Sequence, residues 1–294
     1  MKLNQKGESA ISHTTAILLF AGTALLWSFG GLLVKLVSLN PMAIAGIRSV
    51  IAALLLVAFI GKPKFTWSFP QIGGALMYVL NVLLFVSATK ITTAANAILL
   101  QYTAPVYIAI FGSWILKEKI KPSDIIIIIS VMGGMTLFFM DKFSSGQFLG
   151  NLLALLNGVI FAFVFIFMKM QKNESTLETI LLGNIVLAIV GIPFYFEKVP
   201  DIKSIEGLLM LGIFQLGLSF ILYSIAIKRI TALEAVLISC IEPILNPVWV
   251  FLVLGEFPGT WALAGGLIVF VTVTLRSILL NVPGKKLKKG SVSI

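Results

Sequence analysis

Residues 90–105 read KITTAANAILLQYTAP, and residues 229–243 read RITALEAVLISCIEP. The two stretches align with one deletion, so that Pro105 falls on Pro243. Continuing at the same offset of 138 residues places Glu118 on Glu256. Self-similarity at a fixed offset is the signature of a duplicated structural unit. The chain is therefore predicted to contain two related halves.

The composition places both halves in a membrane. Hydrophobic residues make up 59% of the 294 residues and charged residues 12%, whereas soluble domains have about 25% charged residues. So many apolar side chains cannot be hidden inside one soluble globule. The single cysteine, the single histidine and the lack of a Walker A motif argue against disulfides, metal sites and ATP hydrolysis, so no cofactor is expected.

A helix of about 20 apolar residues can cross a bilayer, and turn residues and charges divide the chain into ten such helices. Spans 1 to 10 are predicted at residues 16–36, 42–60, 70–89, 93–116, 124–140, 148–168, 177–196, 206–227, 232–254 and 260–280. The expected fold is an all-α polytopic membrane protein with ten transmembrane helices and short loops. Its parts are an N-terminal half at 1–143, a C-terminal half at 144–284 and a basic tail at 285–294.

Lysine and arginine predict the orientation of the chain. Sixteen of them fall on the side of the N-terminus, five fall on the other side, and Arg48 lies within span 2. Cytoplasmic segments are enriched in these residues, so both termini are expected in the cytoplasm and the protein in the plasma membrane. The net charge of +10 then reflects topology and not nucleic-acid binding. The run KKLKK at 285–289 either marks this topology alone or also contacts anionic lipid headgroups.

The two halves are expected to lie in opposite orientations, because each contributes five spans and five is odd. The charges agree with this arrangement. Glu118 lies among Lys117, Lys119 and Lys121 on the inner side, whereas Glu256 has no basic neighbour in the sequence and falls on the outer side. Two inverted five-helix repeats around a central cavity are the architecture of secondary transporters.

Three motifs resemble those of a known family: WSFGGLLVK at 27–35, LKE at 116–118 after Pro105, and LISCIEPILNPVWVFLVLGE at 237–256. From about residue 16 to 280, the chain resembles the EamA-type members of the drug/metabolite transporter (DMT) superfamily. The resemblance implies two five-helix bundles around a cavity, and transport of small metabolites, often export of amino acids or amines. The first half departs from the pattern, since Ala104 falls where the second half has Glu242. Acid-based coupling would therefore belong to the second half.

Glu242 is the sharpest candidate for a functional residue, because it falls near the middle of predicted span 9 and Pro243 should bend the helix beside it. An ionisable group at membrane depth costs at least about 2.5–3.5 kcal/mol. We expect it either to bind protons or cations, or to lock helix packing. Asn246 lies on the same helix face, where it could bond to Glu242, to a ligand or to another helix. Glu234, one turn into span 9, either caps the helix or faces the cavity.

Further polar and aromatic side chains recur at helical spacing within the spans, and a stripe of this kind facing lipid would be wasteful. They either line a substrate pocket or form hydrogen bonds between helices. The candidates are Trp27 in span 1, Tyr78 and Asn81 in span 3, Asn96, Gln101 and Tyr102 in span 4, and Gln215 and Tyr223 in span 8. Arg48 is expected to extend toward the outer interface, with an acid or a substrate carboxylate as its alternative partner.

The function favoured by these features is secondary transport of a small molecule by alternating access, with proton coupling as one hypothesis. A lipid-carrier flippase of the same fold is a variant of this function. A membrane-embedded enzyme is the alternative from a different class. The sequence contains no HExxH motif and no aspartate inside a predicted span, which argues against an enzyme. It leaves the substrate, the direction of flux and the oligomeric state open.

Overall fold

Helices dominate the structure of this chain. The computed structural model describes residues 11–115, 129–130, 132–134, 137, 145–171, 176–227, 229–230, 238–239, 241–257 and 259–281. Within these ranges the regular structure is entirely helical, and no strand occurs. The all-α prediction is thereby confirmed for the described part of the chain.

The described helices fall where the sequence predicts spans. Span 1 consists of His13–Ser28 and Gly30–Leu36, span 2 is Pro41–Ile60, span 3 is Phe69–Ile91, and span 4 consists of Ala94–Gln101 and Ala104–Ile115. Span 6 is Ser145–Met170, and span 7 is Thr176–Gly191 followed by the 3₁₀ turn Ile192–Phe194. Span 8 is Ile202–Met210, a π-helical stretch Leu211–Leu218 and Ser219–Ala226. Spans 9 and 10 are described as Ile241–Leu254 and Thr260–Asn281.

Local capping explains several of these starts. The side chain of Asn40 accepts a hydrogen bond from the Met42 amide, and Pro41 takes the first helical position of span 2, where its missing N–H costs nothing. Ser68 caps span 3 and Thr93 caps span 4 in the same way. At the start of span 8, the Ser204 amide donates to Asp201, and this hydrogen bond lowers the pKa of that exposed carboxyl.

Seven helices in the described residues are long and apolar enough to cross a membrane. Two shorter apolar helices, Ile241–Leu254 and Leu263–Thr272, belong to spans 9 and 10. The structure therefore supports a multi-pass membrane protein. A total of ten spans remains a prediction, because most of predicted span 5 and the first part of span 9 lie outside the described residues.

Spans 1 and 4 are each interrupted near the middle of the structure. In span 4, the helix Ala94–Gln101 ends at the residue whose carbonyl would need an amide hydrogen from Pro105, which proline does not have. In span 1, Phe29 separates two helices, and the next two residues are the glycine pair Gly30 and Gly31. These interruptions place irregular backbone beside the buried polar side chains that form the candidate site.

The contacts between the halves come in matched pairs. Span 1 packs on span 8, and its repeat counterpart, span 6, packs on span 3. Likewise, span 9 packs on span 1, and span 4 packs on span 6. Spans 2 and 7, which correspond to each other in the repeat, are in direct contact. Each of these contacts joins a span of the first half to a span of the second half.

Candidate functional site

Buried polar side chains gather on two sides of the break in span 1. One group, the Glu242 cluster, consists of Glu242, Asn246 and Tyr102 from spans 9 and 4. The other group, the Arg48 cluster, involves spans 2, 3, 7 and 8 and is described below. Glycines at the break separate the two groups, so the geometry of each is given in turn.

The carboxylate of Glu242 is 9% exposed and accepts a hydrogen bond of 2.9 Å from the Tyr102 hydroxyl. The same hydroxyl lies 3.1 Å from the carbonyl oxygen of Ser239. Pro243 has no N–H to donate to that carbonyl. The single hydroxyl proton of Tyr102 can therefore serve the carboxylate or the carbonyl, but only one at a time. No lysine or arginine in the described ranges forms an ion pair with Glu242.

Asn246 lies one helical turn after Glu242 and is completely buried. Neither its amide oxygen nor its amide nitrogen has a hydrogen-bond partner. A buried amide without partners costs about 1–3 kcal/mol, so such a group needs an explanation. Asn246 lies so close to Gly31 that a methyl group on that glycine would overlap its side chain. The break in span 1 thus lets an unsatisfied amide approach the backbone.

Span 9 is fixed to span 1 by a second contact just beyond Asn246. The indole nitrogen of Trp249 donates to the Ser28 hydroxyl at 2.9 Å. Its ring stacks on Phe29 with centroids 5.0 Å apart and planes 14° from parallel. These contacts hold the Glu242 cluster against the interrupted part of span 1.

The Arg48 cluster contains Arg48 from span 2, Tyr78 from span 3, Asn184 from span 7 and Gln215 from span 8. Nη1 of Arg48 donates to Oε1 of Gln215 at 3.3 Å, and Asn184 donates to the Tyr78 hydroxyl at 3.3 Å. Gln215 lies in the π-helical stretch Leu211–Leu218, a distortion that is frequent at functional sites.

The expectation that Arg48 extends to the outer interface is wrong. Arg48 is 2% exposed, and its nearest hydrogen-bonding group is the Gln215 amide of a neighbouring span. Position along the helix indicated a side chain within reach of the interface, but the side chain points into the bundle. The small residue Gly212 permits this, because span 8 approaches the backbone of Arg48 so closely that a methyl group there would lie 2.9 Å from its carbonyl oxygen.

An aromatic group connects spans 1, 3 and 8 beside this cluster. The indole of Trp27 donates to Ser219 at 2.9 Å and packs edge-on to Phe220 with centroids 5.6 Å apart. Tyr223 lies 6.0 Å from Trp27, and Tyr78 lies 5.9 Å from Phe220. Trp27, Tyr78 and Tyr223, which the sequence predicts to face inward, therefore all belong to one aromatic group inside the bundle.

Asn96 and Gln101 point away from the two clusters, toward span 6. Asn96 donates to Oδ1 of Asn151 at 3.0 Å, and Gln101 accepts from Nδ2 of Asn157 at 2.8 Å. Both pairs are hydrogen bonds between buried amides of neighbouring helices. This is the packing alternative that the sequence left open for them.

Of the remaining predicted site residues, Asn81 is half-buried and its amide oxygen has no partner. Glu234 lies outside the described residues. Sequence reasoning did not single out Asn184 or Trp249. Trp249 lies seven residues after Glu242. Because this spacing places both residues on one helix face, periodicity could have identified Trp249.

At one end of the bundle, charged groups from the two halves are in contact. Nζ of Lys35 lies 3.0 Å from Oε2 of Glu256 and 2.7 Å from the carbonyl oxygen of Thr92. The other carboxylate oxygen of Glu256 accepts from the amide of Ala94 at 2.7 Å, the first residue of the helix Ala94–Gln101, where the helix dipole favours an anion. Gly255, with φ of 66°, turns the chain so that Glu256 reaches this position. We call Lys35 and Glu256 the latch.

Comparison with known proteins places this arrangement in a family. A model described as "EamA-like transporter family" matches the chain twice, at residues 14–140 and 148–278. The chain is 24% identical over 282 residues to an "Uncharacterized transporter" of Archaeoglobus fulgidus, covering 88% of this chain and 96% of the relative. It is 26% identical over 251 residues to an "Uncharacterized transporter" of Clostridium kluyveri, covering 77% of this chain and 80% of that relative.

The fold also has a counterpart among solved structures. One protein crystal structure superposes with a TM-score of 0.62, covers 92% of this chain and 99% of that chain, and is 20% identical in sequence. At this identity the likeness concerns the fold alone. The double match of the family agrees with the two halves that the repeated sequence predicts.

Proposed function

Because this chain belongs to the EamA-like transporter family, we propose that it is a secondary transporter that exports small metabolites, such as amino acids or amines, by alternating access. Its two five-helix repeats are inverted relative to each other and enclose the substrate path. Both termini lie in the cytoplasm and the chain resides in the plasma membrane, where its basic tail contacts anionic headgroups. The observation that carries the proposal is a buried acid, Glu242, beside an unsatisfied amide, Asn246, at the interface of the halves.

Alternating access requires a contact between the halves that forms in one state and breaks in the other. The latch is our candidate for this contact, since Lys35 belongs to the first half and Glu256 to the second. Its side chains are 18% and 23% exposed, so each charged group is already partly accessible to water while the ion pair is formed. We assign the described conformation to a state that is closed at the latch.

Glu242 is the residue to which we assign proton coupling. When its carboxylate is ionised, the Tyr102 hydroxyl donates to it; when it is protonated, the same hydroxyl can turn to the Ser239 carbonyl. The carboxyl group can thus exist in both forms without leaving Tyr102 unpaired. A solute cation could replace the proton at the same place, with Asn246 as a second oxygen ligand.

The test is transport by the purified protein in liposomes with an imposed pH gradient. Radiolabelled amino acids and putrescine are loaded inside, and their efflux is followed with an acidic or a neutral exterior. We expect efflux of at least one solute, accelerated by the gradient and abolished by ionophores that collapse it. If no amino acid or amine moves in either direction, the proposal is wrong. Movement of a fluorescent lipid in its place would support a flippase.

A further inference from the structure

Arg48 carries a buried positive charge that no acid among the described residues neutralises. Its side chain is 2% exposed, and no aspartate or glutamate of the described part of the chain forms an ion pair with it. The described polar groups beside it are uncharged: Gln215 from span 8, and Tyr78 from span 3, whose hydroxyl accepts a hydrogen bond from Asn184 of span 7. Buried charges in proteins are normally paired or bound to a ligand.

The hydrogen bonds of Arg48 are also incomplete. A guanidinium has five N–H donors in a planar fork, and here Nη1 donates to Gln215 at 3.3 Å. Its Nε has no hydrogen-bond partner, and neither does the hydroxyl of the adjacent Ser49. The arginine is therefore held in place by neutral groups while part of its donor fork remains unused.

We propose that Arg48 binds the anionic group of the transported solute, a carboxylate or a phosphate. A carboxylate and a phosphate each present two oxygen atoms that an arginine fork can bind through two parallel hydrogen bonds. This inference rests on the proposed function, because the solute reaches Arg48 only when the halves open. Among the solute classes named above, it favours amino acids over simple amines.

In this proposal Gln215 positions the guanidinium of Arg48. Because Gln215 is uncharged, it does not take the place of the anionic ligand. Its neutral amide oxygen orients Arg48 through Nη1. A methyl group on Gly30 would lie 3.1 Å from the Gln215 nitrogen, so the break in span 1 leaves just enough room for this side chain. The charge of Arg48 thus stays available for a ligand that enters between spans 1, 2 and 8.

The first test measures binding without transport. The detergent-purified protein is heated in the presence of each standard amino acid, succinate, inorganic phosphate, putrescine or choline, at constant ionic strength set with sodium chloride. Because a bound ligand stabilises the folded state, we expect at least one anion to raise Tm, and the amino acid, succinate and phosphate arms tell carboxylate from phosphate recognition. If no anion raises Tm, or if only amines do, the proposal is overturned.

Variants then assign the effect to Arg48. R48Q should weaken the apparent affinity for the stabilising anion at least about tenfold, which corresponds to about 1.4 kcal/mol. R48K should retain part of it, because lysine keeps the charge and loses the fork. R229Q removes an exposed arginine and should leave the affinity unchanged. Equal affinity in R48Q and wild type would overturn the proposal.

Q215E keeps the test decisive if R48Q does not fold. It places a carboxylate of the same shape next to Arg48, and this internal anion should raise Tm without ligand and abolish the shift caused by the added anion. An undiminished shift in Q215E would overturn the proposal.

Efflux in liposomes separates this inference from the proposed function. Efflux of the stabilising anion that is unchanged in R48Q would leave the transporter intact and refute an anion site at Arg48. Conversely, an anion-dependent Tm shift that R48Q removes would support the site even if efflux were not observed.

Discussion

Nζ of Lys35 lies 3.0 Å from Oε2 of Glu256 and joins the two halves of the chain at one end of the bundle. The pair is part of a larger contact, since Glu256 also accepts from the first amide of the helix Ala94–Gln101 and Lys35 donates to the Thr92 carbonyl. One acid and one base thus hold span 1, span 4 and the end of span 9 together. A contact of this kind can close one side of a transporter.

Breaking the latch should shift the protein toward a state open at this end. A partly exposed ion pair contributes up to about 1 kcal/mol, so E256Q should increase the open population up to roughly fivefold. The reporter is a cysteine at Val34, which is completely buried beside Lys35, in a C240S background. We expect E256Q to accelerate its reaction with a charged thiol reagent by a similar factor.

The charge reversal K35E/E256K serves as the control for this experiment. It restores opposite charges and should bring the labelling rate of the Val34 reporter part of the way back. The recovery is incomplete because the carboxylate introduced in place of Lys35 cannot donate to the Thr92 carbonyl. A latch without a gating role would instead give equal rates in wild type, E256Q and the reversal.

Replacing Glu242 by glutamine should uncouple transport from protons. Glutamine keeps the size and can still accept the Tyr102 hydrogen bond, so we expect E242Q to fold with a similar Tm. Its efflux from liposomes should be independent of the pH gradient, whereas wild-type efflux depends on it. The matched control is E206Q, which neutralises an exposed glutamate in span 8.

Tyr102 offers a second measurement on the same site. Y102F removes the hydroxyl that serves both Glu242 and Ser239, at a cost of about 1 kcal/mol in unfolding free energy. We expect its efflux to remain gradient-dependent but slower. If wild-type efflux does not change between pH 5 and pH 8, Glu242 has no coupling role.

The positions of the helices were predictable because their signals are local. Asn40 followed by Pro41 caps and starts span 2, and Pro105 ends the first helix of span 4. Each effect involves residues within one or two helical turns, so it can be recognised in a single sequence. The interruption at Phe29 was not predicted, because a glycine pair permits a break without requiring one.

The partners of the site residues were not predictable in the same way. Periodicity places Tyr78 on an inward face, but it does not tell which helix lies opposite. Asn96 and Gln101 belong to the same span as Tyr102, yet they bond to span 6 while Tyr102 bonds to span 9. The error on Arg48 has the same origin, since distance from a helix end measures depth and not direction.

The approach of Asn246 to Gly31 predicts a steric effect of a single methyl group. In G31A the new methyl would overlap the Asn246 amide and lie 3.0 Å from the Ala94 side chain. Overpacking of this kind costs about 1–3 kcal/mol, so we expect a lower Tm. G22A in the same span is the matched control, because its methyl would lie 3.8 Å from Leu222. The double variant G31A/N246A should recover most of the lost Tm.

The inverted repeat predicts that equivalent ends of spans 4 and 9 face opposite compartments. Single cysteines are placed at 119 and at Phe257 in a C240S background, and a membrane-impermeant maleimide is added to intact cells. The cysteine that replaces Phe257, a residue exposed next to the latch, should react with the maleimide. A cysteine that replaces the exposed Val199 in the loop before span 8 should react as well.

A cysteine that replaces Lys62, which is exposed in the loop between spans 2 and 3, should react only after the cells are permeabilised. The same is expected of the cysteine at position 119. The contact between the Lys64 amide and Glu178, at 2.8 Å, places the loop before span 7 at the same end as Lys62. A cysteine that replaces Glu178 should therefore be labelled only after permeabilisation, like one at Lys62 and unlike one at Val199. Labelling of positions 119 and 257 from the same side would mean that the two halves are parallel, and the proposed exchange between two states would lose its structural basis.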